Sequence, residues 1–229
     1  MFDKVIHAIR KRSFREFCMF VVYSPFYFYD KYIEHKFDQR YGTDTNQKLS
    51  LKEYSINTKN LEHACRYQAI KIKFFTKMIE QVSIDLKTCI FLDLGSGKGK
   101  SLMLATDYPF KQIIGVEFSP ELHQIAIQNI DVFSRKNSTH QKIQLFCMDA
   151  EQYDLPAENI VLFLYNPFQG KVMHTVVKKI DRFVSNGQFN LIVLYRNPKC
   201  SEMFENSNFL NTEKKTRDYS IYSGISRCK

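Results

Sequence analysis

The sequence predicts an α/β fold: a doubly wound, mostly parallel seven-stranded sheet with an antiparallel C-terminal strand pair, preceded by a helical N-terminal extension. Two observations carry this. From Cys89 onward, short uninterrupted apolar runs alternate with segments of helical period, as expected for strands buried on both faces and joined by crossover helices. The first of these runs, CIFLDL, leads straight into GSGKGKSLMLA (95–105), a glycine-rich turn that opens a helix.

The elements follow in order. Residues 1–37 form a basic, aromatic extension whose first 16 residues carry five positive and two negative charges. The run FCMFVVYSPFYFY, from Phe17, is too short to span a bilayer and is interrupted by Pro25. A basic helix with Phe and Ile on one side suits packing on the parent domain first. Peripheral membrane contact through residues 1–30 is its alternative. FDQRYGTDTNQ (37–47) reads as a polar turn, and 59–82 as a helix with apolar positions at Leu61, Ala64, Cys65, Ala69, Ile72, Phe75 and Ile79. The extension and its turn take residues 1–58, and the sheet domain takes 59–229.

Within the sheet domain the strands are CIFLDL, IIGVE, IQLFCMDA, NIVLFLYNPF and FNLIVLYRNP, with NFLNTEKK and DYSIYS as the closing pair. The helices between them are KSLMLATDY, SPELHQIAIQNIDVFSRK and GKVMHTVVKKIDRFVS. Ser119 is placed to N-cap the second of these, ahead of Pro120 and Glu121. A net charge of +9 suits an acidic partner, although the basic residues are scattered over the chain. Six cysteines without a CxxC pair, two of them (Cys89 and Cys147) in strands expected to be buried, point to a reducing, cytoplasmic compartment and to no structural zinc. The histidines show no metal-ligand spacing.

In a doubly wound sheet the ligand sits beyond the C-terminal strand ends. Gly95–Gly99, Glu117, Met148–Asp149 and Asn166–Phe168 all fall on that rim. Glycines at 95, 97 and 99 give GxGxG rather than the dinucleotide spacing GxGxxG, and the Walker pattern is absent. Glu117 ends the second strand, where a carboxylate accepts both hydroxyls of a ribose. Asp149 is placed to accept an adenine amino hydrogen, and Met148 to lie against the purine. Asp93, before the glycines, would repel a pyrophosphate but suits an ammonium. Together the three carboxylates favour a cationic adenosyl ligand.

FLDLGSGKGK, IIGVEFSPELHQIA, CMDA and FLYNPF, in this order, resemble the class I S-adenosylmethionine-dependent methyltransferases over about residues 59–200. The DLGSGKGK form is similar to that of the lysine-methylating Dot1 branch, on a Rossmann-like fold. FDQRYGTDT and RYQA resemble the N-terminal segment of a group of small bacterial methyltransferases. There Tyr67 and Gln68 precede a Pro-Thr-Pro turn, whereas this chain has Ala69-Ile70. The resemblance implies S-adenosylmethionine as cofactor and S-adenosylhomocysteine as product. Gly95, Gly97 and Gly99 would line the methionine moiety, with Asp93, Ser96 and Tyr67 close by. Glu117 and Phe118 would hold the ribose side, and Met148 with Asp149 the adenine.

Asn166-Pro167-Phe168 resembles the Asn-Pro-Pro-aromatic motif of amino-group methyltransferases, with one proline instead of two. It implies a catalytic role for all three residues. The Asn oxygen and a prolyl carbonyl would accept the amine hydrogens, and the aromatic would pack on the acceptor. Tyr165, turned to the opposite face by strand alternation, is left out of catalysis. The turn at 37–47 reads as a lid, with Asp44 or Thr45 touching the methionine end of the cofactor. The expected function is N-methylation, of protein lysine first and of RNA second. Basic and aromatic residues mix in KRSFREF and TRDYSIYSGISRCK, as in single-strand binders. The alternatives are a non-catalytic module that binds the same nucleoside and, behind it, a nicotinamide oxidoreductase.

Overall fold

A computed structural model describes residues 14–46, 67–137 and 142–224. The expected boundary between residues 58 and 59, and the first part of the helix expected at 59–82, lie outside these. Seven strands form one sheet in the order β3-β2-β1-β4-β5-β7-β6. They are β1 (Cys89–Leu94), β2 (Gln112–Glu117), β3 (Ile143–Cys147), β4 (Asn159–Tyr165), β5 (Leu191–Arg196), β6 (Asn211–Lys215) and β7 (Tyr219–Gly224). β1 through β5 pair in parallel, and β7 runs antiparallel to both β5 and β6. The chain order reverses between β1 and β4, which opens a crevice beyond their C-terminal ends.

The central strands are apolar throughout because both faces are covered. Ile90, Leu92, Leu94, Leu162 and Leu164 point to one face, against Val172, Met173, Val176 and Ile180 of α5 (Gly170–Ser185) and Phe204 of the short α6 (Ser201–Glu205). Cys89, Phe91, Val161 and Phe163 point to the other. That face is covered by α1 (Phe14–Tyr41), α2 (Ile72–Ile79), α3 (Lys100–Ala105) and α4 (Pro120–Asn137). Phe75 of α2 packs on Phe91 and Phe163, and Phe37 of α1 stacks on Phe133 of α4. The Ser119 hydroxyl accepts the Leu122 N–H at 3.3 Å, the expected cap of α4.

Three local expectations are corrected: the turn at 37–47, the helix from residue 59 and the burial of Cys147. α1 passes through Pro25 without a break and continues to Tyr41, so the first part of the turn expected at 37–47 is helical. One proline removes a single backbone bond, which a 28-residue helix docked at its C-terminal half can absorb. The helix expected from residue 59 begins, among the described residues, only at Ile72, since 67–71 is not helical. Cys147 is exposed rather than buried, because β3 is an edge strand with one neighbour. α6 carries no clear sequence signal. Among the described residues, no helix is long and apolar enough to cross a membrane.

Candidate cofactor and acceptor site

A cavity of about 300 Å³ lies at the C-terminal ends of β1, β2 and β4. It brings together Tyr67, Asp93, Gly95, Ser96, Gly97, Glu117, Phe118, Met148, Asp149, Asn166, Pro167 and Phe168, which the sequence singles out from five separate stretches. Gly99, Asp44 and Thr45 do not line it. Gly99 is the N-cap of α3, turned towards Ala126 and Ile130 of α4. Asp44 instead pairs its carboxylate with Lys98 Nζ at 2.8 Å. Thr45 is buried, with its hydroxyl donating to Asp38 at 2.7 Å. Among the turn's described residues, Asp38 acts as a clamp, accepting from Thr43, Thr45 and Asn46. The turn meets the cavity wall where Tyr67 donates to the Thr45 carbonyl at 2.7 Å and where Lys100 donates to Asn46 Oδ1 at 3.2 Å.

The glycine loop has little room for side chains. Gly95 and Gly97 have φ of +93° and +53°, in the left-handed region where a Cβ is penalised. A Cβ on Gly95 would overlap the Pro167 ring, and one on Gly97 the Tyr67 ring. The loop is thus pressed between the Asn166-Pro167 turn and the 67–70 wall.

Glu117 is buried at the tip of β2. It accepts the Gly97 N–H at 2.8 Å and the Ser119 N–H at 2.9 Å. Burial pushes its carboxyl up to about 7, against the pull of the Ser119, Gly97 and Phe118 N–H groups. Asp93, at 3% exposure, accepts from the Ser101 hydroxyl through Oδ2, while Oδ1 is buried without a partner among the described residues. Burial pushes it to about 7 as well, with the Ser101 bond opposing and the Glu117 charge adding. The Ser96 hydroxyl is likewise buried without a partner among the described residues. Unsatisfied buried acceptors of this kind are costly and suit a cationic donor such as an ammonium. Among the described residues Lys100 is the only Lys or Arg lining the cavity, and its ammonium is engaged by Glu34. Among the described residues the cavity thus offers carboxylates to a ligand and no unpaired cation, which fits an adenosyl-amino acid and opposes a pyrophosphate. Asp149 accepts the Glu151 N–H at 2.9 Å beside Met148.

Sequence reasoning missed several lining residues. Tyr165 lines the cavity, which corrects the expectation from alternation. Asn166, with φ of +41°, ends the strand geometry, so Tyr165 and Asn166 both reach the site. Behind Tyr165, the Arg196 guanidinium stacks on Phe74 at 4.0 Å. Gln68, Ala69 and Ile70 make a wall from a segment that carries helical periodicity without being helical.

The sequence model of the family described as "Histone methylation protein DOT1" matches residues 44–189. No curated protein matches the chain. Among solved structures, the chain is similar to an RNA methyltransferase from Salinibacter ruber in complex with S-adenosyl-L-homocysteine (16% identity, 71% of this chain and 97% of that one, TM-score 0.48). It is also similar to a ribosomal protein L11 methylase from Lactobacillus delbrueckii subsp. bulgaricus (14% identity, 68% and 78%, TM-score 0.48). A third is a precorrin-6y C5,15-methyltransferase from Geobacter metallireducens GS-15 (17% identity, 77% and 100%, TM-score 0.48).

Proposed function

Because the chain belongs to the DOT1 histone-methylation family and is an S-adenosylmethionine-dependent methyltransferase, we propose that it methylates an amino nitrogen, that of a protein lysine. The observation that carries this reading is the Asn166-Pro167 turn, which presses on Gly95 and shares one cavity with Asp93 and Glu117.

When bound, the cofactor would supply a methyl group on a sulfonium. The acceptor nitrogen's lone pair would bond to that carbon in line as the C–S bond breaks, S-adenosylhomocysteine would leave as a thioether, and the nitrogen's extra proton would pass to solvent. The protein's part is alignment. Asp93 Oδ1 would take the ammonium of the amino-acid end, and Glu117 the ribose hydroxyls. Met148 and Asp149 border the adenine. Asn166, at the strand end, accepts hydrogens of the acceptor amine and turns its lone pair inward, while Phe168 and Tyr165 pack on the acceptor's carbon chain. Apolar walls from Phe163, Ile70 and Val172 limit water near the reacting atoms.

RNA is the second acceptor class, and one support for it weakens. Tyr219 and Tyr222, in the basic-aromatic C-terminal segment, are buried in β7 and offer no face to a base.

Titration with S-adenosylhomocysteine and transfer of labelled methyl to acceptor panels test the reading. The net charge of +9 repels a strongly basic tail, so peptides with one lysine among acidic residues belong in the first panel. Label on the lysine peptide, and none once that lysine is trimethylated, is the expected result. Label confined to RNA, or bound cofactor without transfer to any lysine, would overturn it.

A further inference from the structure

Lys98 and Lys100 flank Gly99 at the N-terminus of α3, where the helix's partial positive charge disfavours cations. Both are nonetheless buried, at 0% and 2% exposure. A buried ammonium persists only if a carboxylate answers it. The answers come from the N-terminal part of the chain. Lys98 pairs with Asp44, and Lys100 pairs with Glu34 of α1 and lies 3.2 Å from Asn46 Oδ1.

Glu34 is a junction. Oε2 takes the Lys100 ammonium, and Oε1 accepts the N–H of Ile72, the first residue of α2, at 2.9 Å. Its carbonyl accepts from the Asn46 amide at 2.8 Å. Asp30, one helical turn earlier, pairs with Lys71 and Lys73. α1 thus fastens both ends of the site's rear. Lys100 lines the cavity from α3, and residues 67–70 line it just ahead of α2. Glu34 itself does not line the cavity, nor does any other residue of 34–46.

We infer that Glu34 is a positioning residue for the cofactor site, holding Lys100 and the 67–71 wall in register so that cofactor binding is coupled to the docking of α1. This rests on the reading of the cavity as the cofactor site. Without the Glu34 charge, the Lys100 ammonium is left buried with no carboxylate partner among the described residues, held by the neutral Asn46 oxygen and the Phe37 ring. The cavity it lines is then the nearest place to seek water. Linkage makes the effect reciprocal: whatever α1 docking contributes to cofactor affinity, bound cofactor returns to α1 docking.

The test measures S-adenosylhomocysteine affinity for wild type, Glu34→Gln, Lys100→Met and the double variant, together with wild-type hydrogen exchange with and without that ligand. Glu34→Gln is expected to weaken binding about tenfold while remaining folded by circular dichroism. The double variant should bind no more weakly than Lys100→Met alone, since the pair acts as one unit. In wild type, saturating ligand should slow exchange over residues 34–46. An affinity for Glu34→Gln within about twofold of wild type, additive losses in the double variant, or unchanged exchange at 34–46 would overturn the coupling. If Glu34→Gln does not fold, the wild-type exchange measurement decides. Absence of ligand binding by wild type would instead overturn the cofactor reading itself.

Discussion

Glu117 Oε2 accepts the Gly97 N–H at 2.8 Å, so the acid that ends β2 is fixed by the loop that follows β1. This bond sets the acid's direction before any ligand arrives, which lowers the cost of binding. Glu117→Gln keeps the shape but turns an NH₂ group towards the N–H of Gly97 or Ser119. The loss of charged acceptors for two ribose hydroxyls should weaken S-adenosylhomocysteine about 10- to 100-fold. Isothermal titration reads this directly. Wild-type affinity in the variant would remove Glu117 from the site.

The two buried carboxyls predict opposite pH trends for stability and for binding. Asp93 and Glu117 both stand near 7 in the fold, above their ordinary values of 3.8 and 4.5. The folded chain therefore holds more protons than the unfolded one between those limits. The contribution of these two groups to unliganded stability is fully present below about pH 4 and is lost as pH rises through about 7. A ligand ammonium and ribose hydroxyls favour the ionised forms, so affinity should climb over the same range and level off above it. Below about pH 6, S-adenosylhomocysteine should gain up to about 100-fold per pH unit. Adenosine, which lacks the amino-acid end, should gain about 10-fold through Glu117 alone. Equal slopes for the two ligands would mean that Asp93 does not meet the ammonium.

Gly95 and Gly97 predict two distinct failures. Gly95→Ala drives a Cβ into the Pro167 ring at a φ of +93°, and neither the ring nor the turn can yield cheaply. Gly97→Ala pushes on the Tyr67 ring, whose hydroxyl bond to Thr45 can break to relieve it. Each should lower stability by about 1–3 kcal/mol in thermal unfolding. Gly95→Ala should also abolish methyl transfer by displacing Asn166, whereas Gly97→Ala should retain part of it at saturating cofactor. Equal residual activity would contradict this division.

What the sequence made legible was what local pattern encodes. Buried parallel strands write continuous apolar runs, as in CIFLDL and NIVLFLY, and a glycine turn after the first of them marks the rim. Most of the cavity's polar residues follow from that, because strand ends carry them. The pairing of Lys100 with Glu34 spans 66 positions and leaves no periodic trace. The two lysines read only as a break in a motif, while their carboxylate partners lie in an N-terminal helix, Glu34, and in the polar turn that follows it, Asp44. Tyr165 was lost for a related reason. Alternation holds only while the strand does, and a left-handed residue follows at once.

That left-handed residue makes its own test. Asn166, with φ of +41°, and Asn197, with φ of +52°, each end a strand and precede a proline, Pro167 and Pro198. Only the first of these turns lines the cavity. Glycine adopts such a φ freely, whereas alanine there costs about 1–2 kcal/mol. Asn166→Gly therefore removes the side chain while sparing the backbone, and Asn166→Ala does both kinds of harm. If the Asn166 amide aligns the acceptor, Asn166→Gly should lower turnover about 100-fold with S-adenosylhomocysteine affinity unchanged. Asn197→Gly, the same change in the same backbone setting, should leave turnover at the wild-type level. Equal losses from the two variants would mean that the turns matter only as strand ends, and Asn166 would then have no part in orienting the amine.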